Sequence, residues 1–282
     1  MTTLTVTRAG VLTTVQDRGR TGLAHLGVPR AGPLDPPAAE LANRLVGNGP
    51  DDALLEVTWG GLELTASTGR WVAVTGAAVP VRVDGAERGR DRAEWLAAGA
   101  RLRLGTPTSG VRSYLAVAGG IDVAPVLGSR STDTLAWVGP PRVEDGSELP
   151  VGAPSGPPAP LDTPRPRVPG AVRVAAGPRA DWFADDALAR LCAAAYVVSE
   201  ASNRVGLRLD GPAPERARGG ELPSEGMVLG AVQVPPSGQP VVLLADHPPT
   251  GGYPVLAVVH RDDLWQCGQL RPGEPVRFVR VS

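Results

Sequence analysis

Leu-Arg-Pro-Gly-Glu-Pro-Val-Arg-Phe, at Leu270–Phe278, is the stretch on which the fold turns. The same form recurs as LAAGARLRL at Leu96–Leu104 and VEDGSELPV at Val143–Val151: an apolar residue, two others, Gly, two others, then alternation. Glycine at the fourth position supplies a backbone conformation with positive φ, and the residues after it alternate faces as a strand does. Both halves of the chain carry this signature, so repeated turns at barrel edges are expected. Convergent reuse of such turns in β proteins gives the same pattern, so the repeat does not establish a duplication.

Outward from these turns the chain keeps its β character. Gly and Pro number 36 and 30 among 282 residues, which places much of the chain in turns. Strands are expected at Met1–Val15, Trp71–Thr75, Tyr114–Ala118, Ala171–Ala176, Val241–Asp246, Val255–His260 and Val276–Val281. Helices are few. One is expected to start with Asp35 as N-cap and Pro36 in its first turn, run through Leu41 and Leu45, and stop at Gly47. A second is expected from Asp181, with Phe183, Leu188, Leu191, Cys192 and Ala195 on one face. Many short strands with few helices favour closed or sandwiched sheets over a doubly wound fold.

The densest proline run (Pro150, Pro154, Pro157, Pro158, Pro160, Pro164, Pro166 and Pro169) cannot feed a sheet ladder. It divides the chain into a first domain at 1–150, a linker or surface loop at 151–170, and a second domain at 171–282; a loop embedded in one interlocked fold is the other reading.

Composition removes several classes of function. The formal net charge is −1, too small to draw the chain to nucleic acid or an anionic membrane. All 28 basic residues are arginine. Without lysine there is no Walker A loop, no Schiff-base chemistry and no biotinyl-lysine within the chain. The N-terminus lacks the basic and apolar regions of a signal peptide, and no apolar run is long enough to span a membrane, so a cytoplasmic protein is expected. Cys192 and Cys267 form no CxxC pair and read as buried small hydrophobes. His25, His247 and His260 are scattered, so no metal site is expected. The GxG at Gly47–Gly49 precedes Pro50 and Asp52 instead of opening a helix, and no GxSxG is present.

Polar residues nevertheless cluster in glycine-rich segments: TTVQDRGR (Thr13–Arg20), ANRLVGN (Ala42–Asn48), PSEGMVLGAVQVPPSGQP (Pro223–Pro240) and LADHPPTGGYP (Leu244–Pro254). Together with GSRST (Gly128–Thr132) and LRPGEPVRF, they resemble the biotin-dependent carboxyltransferase, or allophanate hydrolase subunit 2, family, which includes the C subunit of 5-oxoprolinase. The resemblance runs from about Val11 to the C-terminus. It implies a mainly β protein of two cyclophilin-like β-barrel domains with a few short helices. It also implies a hydrolase acting on a cyclic amide, active only in a complex with an allophanate hydrolase subunit 1-like protein and a larger lactam-utilisation subunit. That complex opens 5-oxoproline to L-glutamate with ATP. The family also contains carboxyltransferases acting on urea or a related amide with biotin on a partner, and a non-catalytic antagonist of a sensor-kinase inhibitor. The chain departs from the family pattern at His247, Pro248 and Pro249, in a loop that usually reads closer to DRQTTGGYP, and at Pro141.

A lactam carbonyl needs activation and fixed donors for the oxyanion that forms. Asp246, at the end of an apolar strand, reads as a general base or as the cap of a turn, and Glu225 is the second catalytic candidate. On the turn begun by Gln16, itself a substrate-binding candidate, Arg20 reads as a carboxylate or phosphate clamp or as a surface partner of Asp17. Thr250, Gly251 and Gly252 read as an anion nest covered by Tyr253, or as a plain turn. Ser224, Glu225 and Gln233 read as amide-binding groups or as loop contacts. Asn43 and Glu56 read as buried anchors and Asp35 as a helix cap.

Overall fold

The structure is a computed structural model, and it describes residues 2–158, 167–220 and 222–281. Pro160, Pro164 and Pro166 of the expected linker lie outside the described residues. The chain folds as two compact units. The first comprises Met1–Arg20, Ala31–Asp133 and Trp137–Pro166, the second Thr21–Arg30, Thr134–Ala136 and Arg167–Ser282.

The first unit contains β1 (Thr2–Arg8), β2 (Leu12–Gln16), α1 (Pro36–Leu45), β3 (Leu54–Thr58), β4 (Glu63–Ala66), β5 (Arg70–Gly76), β6 (Val81–Val83), β7 (Ala86–Arg88), β8 (Ala93–Leu96), β9 (Arg101–Leu104), β10 (Arg112–Val117) and β11 (Glu148–Val151). They form a six-stranded sheet, β11-β1-β4-β9-β6-β7, and a five-stranded sheet, β2-β3-β10-β5-β8. The expected strand Met1–Val15 is thus two strands in different sheets, because Gly10 at φ 77° turns the chain between them. Alternate residues of both sheets, among them Leu4, Val15, Leu64, Val74, Leu102 and Leu115, meet in one core. The opposite face of the five-stranded sheet is covered by α1 through Ala39, Ala42 and Leu45 against Leu54, Tyr114 and Ala116. Covered on both sides, β10 has no exposed residue and loses the usual inside-outside alternation.

Helix α1 forms as expected. The Asp35 carboxylate accepts from the Ala38 amide at 3.1 Å, two prolines open the first turn, and Gly47 leaves it at φ 78°. The second expected helix is corrected. A 3-10 turn at Ala180–Trp182 is followed by extended Phe183, which bridges to Arg216, so helix α2 spans only Ala187–Ala193.

The second unit contains β12 (Val172–Ala176), α2, β13 (Tyr196–Val198), β14 (Gly206–Asp210), β15 (Glu225–Gly226), β16 (Ala231–Gln233), β17 (Val241–Leu243), β18 (Thr250–Gly251), β19 (Val255–Val259), α3 (Leu264–Gln269), β20 (Pro275–Val276) and β21 (Phe278–Arg280). Eight of the strands make one sheet in the order β20-β13-β14-β17-β16-β19-β12-β21. Its two edge strands are consecutive in the chain. Val276 pairs with Tyr196, and two residues later Phe278 pairs with Val172. The expected strand Val276–Val281 is therefore interrupted at Arg277, and that interruption lets one stretch of chain bring both edges of the sheet together. A nearly closed barrel removes the exposed edges that an open sheet presents. The three signature glycines, Gly99, Gly146 and Gly273, have φ of 75°, 87° and 83°, as the turn requires. The fold is mainly β with few short helices.

Candidate functional site

In the second unit a two-stranded ribbon collects most of the residues singled out by sequence. Strands β15 and β18 pair Glu225 with Gly251 and Gly226 with Thr250. The Met227 amide donates to the Pro249 carbonyl at 2.8 Å and the Leu222 amide to the Gly252 carbonyl at 3.2 Å, so the ribbon is tied at both ends. Gln233 arrives from β16, whose register with β19 shifts between Val232 and Gln233. Such an irregularity re-aims a side chain. The Gln233 amide nitrogen donates to the Tyr253 carbonyl at 3.2 Å and contacts Met227 Sδ at 3.0 Å. A Cβ at position 251 would come within 3.1 Å of that nitrogen, so a larger residue there requires the Gln233 side chain to shift by a few tenths of an ångström.

The anion-nest reading of Thr250–Gly252 is corrected. Thr250 and Gly251 are extended, and neither Gly251 nor Gly252 has the left-handed φ that alternates in a nest. Tyr253 is 39% exposed beside the ribbon, and Ser224 is exposed next to Glu225. Glu225 accepts from the Arg179 guanidinium in a two-pronged pair, with Nε to Oε2 at 3.0 Å and Nη2 to Oε1. The hydrogen bond from Arg179 holds the Glu225 carboxyl below the usual range, against the upward push of burial.

Asp246 is not at an open rim. Strand β17 ends at Leu243, three residues earlier than expected, and a turn closed by the His247 amide on the Leu244 carbonyl carries Asp246 inward. Its Oδ2 accepts from Arg204 Nε at 2.8 Å, from the Thr134 amide at 2.9 Å and from Thr134 Oγ1 at 2.7 Å; Oδ1 accepts from Arg204 Nη2 at 2.9 Å. The Asp246 amide donates to the Arg204 carbonyl at 3.1 Å. Side-chain exposures are 1% for Arg204 and 0% for Asp246. A carboxylate so enclosed and neutralised is an internal counter-ion, which corrects the general-base reading. The adjacent His247 is buried, which lowers its pKa, although the Asp246 charge and a 2.8 Å bond between Nδ1 and the Pro248 carbonyl oppose the shift. A carbonyl only accepts, so Nδ1 carries the proton of the neutral ring.

In the first unit Gln16 and Arg20 are buried. Gln16 donates to Thr14 Oγ1 and the Thr132 carbonyl, both at 2.9 Å, and accepts from the Gly32 amide. Arg20 is 3% exposed and donates to the carbonyls of Val126 at 3.1 Å and Ser131 at 2.5 Å, which corrects its reading as a surface residue. Asp17 receives Ser129 Oγ, Ser131 Oγ and the amides of Gly19 and Arg130. Burial pushes its carboxyl up, but those four donors outweigh it and hold the pKa below the usual value.

The three supporting residues are also buried. Glu56 Oε2 accepts from the Leu34 amide and from the Tyr114 hydroxyl, each at 2.9 Å, and the hydroxyl accepts from the Asp35 amide at 2.7 Å. Asn43 ties the end of α1 to the Asp52 carbonyl at 2.8 Å and to Asn48 at 3.1 Å. Arg204, Arg179, Thr134 and Tyr114 lie outside the sequence-based candidates. Arginines of this kind leave no local mark, because the partner that gives each its role is tens of residues away.

The glycines of Gly47–Gly49 follow the C-terminal end of α1, and the Gly49 amide is taken by the Asp52 carboxylate at 2.7 Å. That arrangement does not fit a nucleotide phosphate, which needs free amides at a helix N-terminus. Among the described residues no group of three or more His, Cys, Asp or Glu is placed to hold a metal ion, and no helix is long and apolar enough to cross a membrane. Both cysteines are free thiols. Cys267 is buried, which pushes its pKa up to about 12, and Cys192 is half-buried.

Residues 26–280 match the family model described as carboxyltransferase domain, subdomain A and B. The chain belongs to that carboxyltransferase domain family. It is 39% identical to the C subunit of 5-oxoprolinase from Escherichia coli over 99% of this chain and 91% of that protein. It is 34% identical to the urea amidolyase of Saccharomyces cerevisiae over 100% of this chain and 17% of that enzyme. The solved structure of TTHA0988 superposes with a TM-score of 0.89 at 40% identity, covering 99% of this carboxyltransferase-family chain and 55% of that one. The chain thus spans about half of TTHA0988 and less than a fifth of the yeast enzyme.

Proposed function

We propose that this chain is the C subunit of an ATP-dependent 5-oxoprolinase, a cytoplasmic complex that opens 5-oxoproline to L-glutamate. The observation that carries the reading is reciprocal coverage: the likeness spans 99% of this chain and 91% of a free-standing 5-oxoprolinase subunit. A shared fold alone does not transfer a function, but near-complete overlap in both directions supports this reading more strongly than a match to a small part of a larger enzyme does.

In this reading the chain binds and orients the cyclic amide, while ATP is handled by a partner. The absence of lysine and the occupied Gly49 amide support that division. The ribbon of Ser224, Glu225, Thr250, Gly251, Gly252 and Tyr253, with Gln233 behind it, is the amide-binding surface, because it combines accessible backbone with a carboxylate and a side-chain amide. Glu225, 26% exposed, replaces Asp246 as the general base, since a base has to reach the proton it removes. Gln16 and Arg20 shape the first unit from within. Partners are an allophanate hydrolase subunit 1-like protein and a larger lactam-utilisation subunit.

A second reading, a carboxyltransferase acting on urea or a related amide with biotin on a partner, is favoured by the match of the whole chain to part of yeast urea amidolyase. Co-expression with both proposed partners separates the two. ATP-dependent glutamate release from 5-oxoproline supports the first; carboxylation of urea with a biotinylated carrier and no glutamate release overturns it. The isolated chain is expected to be inactive in both assays.

A further inference from the structure

Two arginine-carboxylate pairs stand near the 244–254 loop, and they differ in kind. Arg204–Asp246 is sealed, with side-chain exposures of 1% and 0%. Arg179–Glu225 is open to solvent, with 39% and 26%. A sealed pair is part of the fold, whereas an open one contributes little to stability and is free to exchange partners.

The backbone fixes where Arg179 stands. Its amide donates to the Val255 carbonyl at 3.2 Å, and the Gly177 amide donates to the Leu256 carbonyl at 2.8 Å, so the residue is anchored where Tyr253 and Pro254 run into β19. From there the guanidinium reaches Glu225, whose partner across the ribbon is Gly251. The nearby Asp181 is itself paired with Arg218 at 2.9 Å. The two-pronged geometry on Glu225 is the one by which arginine binds a free carboxylate.

We propose that Arg179 recognises the carboxylate of the substrate, and that Glu225 fills its guanidinium in the free chain as an internal stand-in. The choice of 5-oxoproline as ligand rests on the function proposed above; the exchange of carboxylates at Arg179 does not. 5-Oxoproline carries an anionic carboxylate on the ring carbon next to its lactam nitrogen. A site that binds it needs a cation beside an amide-binding surface, and Arg179 is such a cation at the edge of the ribbon. Displacement from Arg179 also releases the Glu225 carboxylate beside the lactam, where a base is required. Urea has no carboxylate, so this arginine separates the two classes of amide.

The test uses the reconstituted complex, with 5-oxoproline and its uncharged analogue 5-oxoprolinamide as probes, and follows binding by calorimetry and turnover with ATP. Arg179→Gln is expected to weaken 5-oxoproline binding and raise its KM by about 10- to 100-fold, the range for one charged hydrogen-bonding group. Its affinity for the uncharged analogue is expected to stay within about threefold. Arg179→Lys should recover only part of the loss, since a point charge does not reproduce the fork. Glu225→Gln removes the stand-in, so 5-oxoproline should bind more tightly while kcat falls. The two substitutions therefore move affinity in opposite directions, which a purely structural pair does not do. Equal weakening of both ligands by both variants overturns the proposal, as does unchanged 5-oxoproline binding in Arg179→Gln or a wild-type complex that does not distinguish the ligands. Carboxylate-dependent binding without turnover leaves the Arg179 assignment standing and overturns the proposed function alone.

Discussion

Replacing Asp246 by Asn is expected to damage the fold rather than the chemistry. An Asn side chain turned so that its oxygen takes the place of Oδ2 keeps the acceptor for Arg204 Nε and for both groups of Thr134. Its NH2 then faces Arg204 Nη2 across the 2.9 Å now spanned by Oδ1, donor against donor. Turned the other way, it sets NH2 against two fixed N–H donors, Arg204 Nε and the Thr134 amide, instead of one. Either orientation removes the Asp246 charge from beside a guanidinium that is 1% exposed. Breaking a buried pair on one side costs about 3–5 kcal/mol, a fall in Tm on the order of 10 °C for a chain of this size. Chemical denaturation of the purified chain gives the number directly. Arg204→Met should cost a similar amount, and the double variant Arg204→Met with Asp246→Leu should recover a large share, so the cycle yields a coupling that neither single variant shows. Were Asp246 a general base, Asp246→Asn would keep its stability and lose ~10²–10⁴-fold in turnover. Stability of Asp246→Asn within about 1 kcal/mol of wild type would refute the counter-ion role, since a buried pair broken on one side loses more than that.

Other consequences follow from single contacts. Gly60→Ala places a Cβ 1.9 Å from the Gly105 carbonyl at φ 67° and should cost at least about 3 kcal/mol, whereas Gly99→Ala, at φ 75° with nothing within 4 Å, should cost about 1–2 kcal/mol; urea midpoints of the two decide it. Tyr114→Phe removes the donor to Glu56 and the acceptor of the Asp35 amide, and a loss of about 1–3 kcal/mol is expected by denaturation. The buried His247 has a folded pKa below its unfolded value near 6.5. The unfolded chain therefore takes the proton first, and stability that is complete above about 6.5 declines as pH falls toward the folded pKa. His247→Asn should flatten that acid limb as pH falls below about 6.5; parallel curves for wild type and variant would count against it.

What the sequence discloses and what it withholds differ by the distance over which each signal acts. Asp35, Pro36 and Gly47 mark the ends of α1 within a dozen residues, and all of the determinants are local. The signature glycines mark their turns for the same reason. Asp246 shows the opposite case. Its place after an apolar run is legible, but its burial depends on Arg204, 42 residues earlier, and Thr134, 112 residues earlier. Nothing at positions 244–254 records either partner. The Thr250–Gly252 segment misleads for a related reason, since glycines allow a nest but also allow the close approach that Gln233 makes to Gly251.

Charge pairing in the second unit follows one rule that local sequence does not express. Both arginines, Arg179 and Arg204, meet carboxylates on or beside the 225–253 ribbon, and what separates their roles is solvent. Sealed from water, Arg204 cannot trade Asp246 for solvent, so parting them would leave charge buried at a cost of several kcal/mol. Exposed, Arg179 loses little on parting from Glu225, because water and an incoming carboxylate both replace it. The same two residue types thus give an anchor in one place and a receptor in the other. The anchor keeps the turn at Leu244–His247 in position, that turn leads directly into Thr250 and Gly251, and the ribbon so held presents Glu225 to Arg179. A loss of the anchor is accordingly expected to weaken carboxylate binding at Arg179 as well as stability, while a loss of Arg179 leaves the anchor intact.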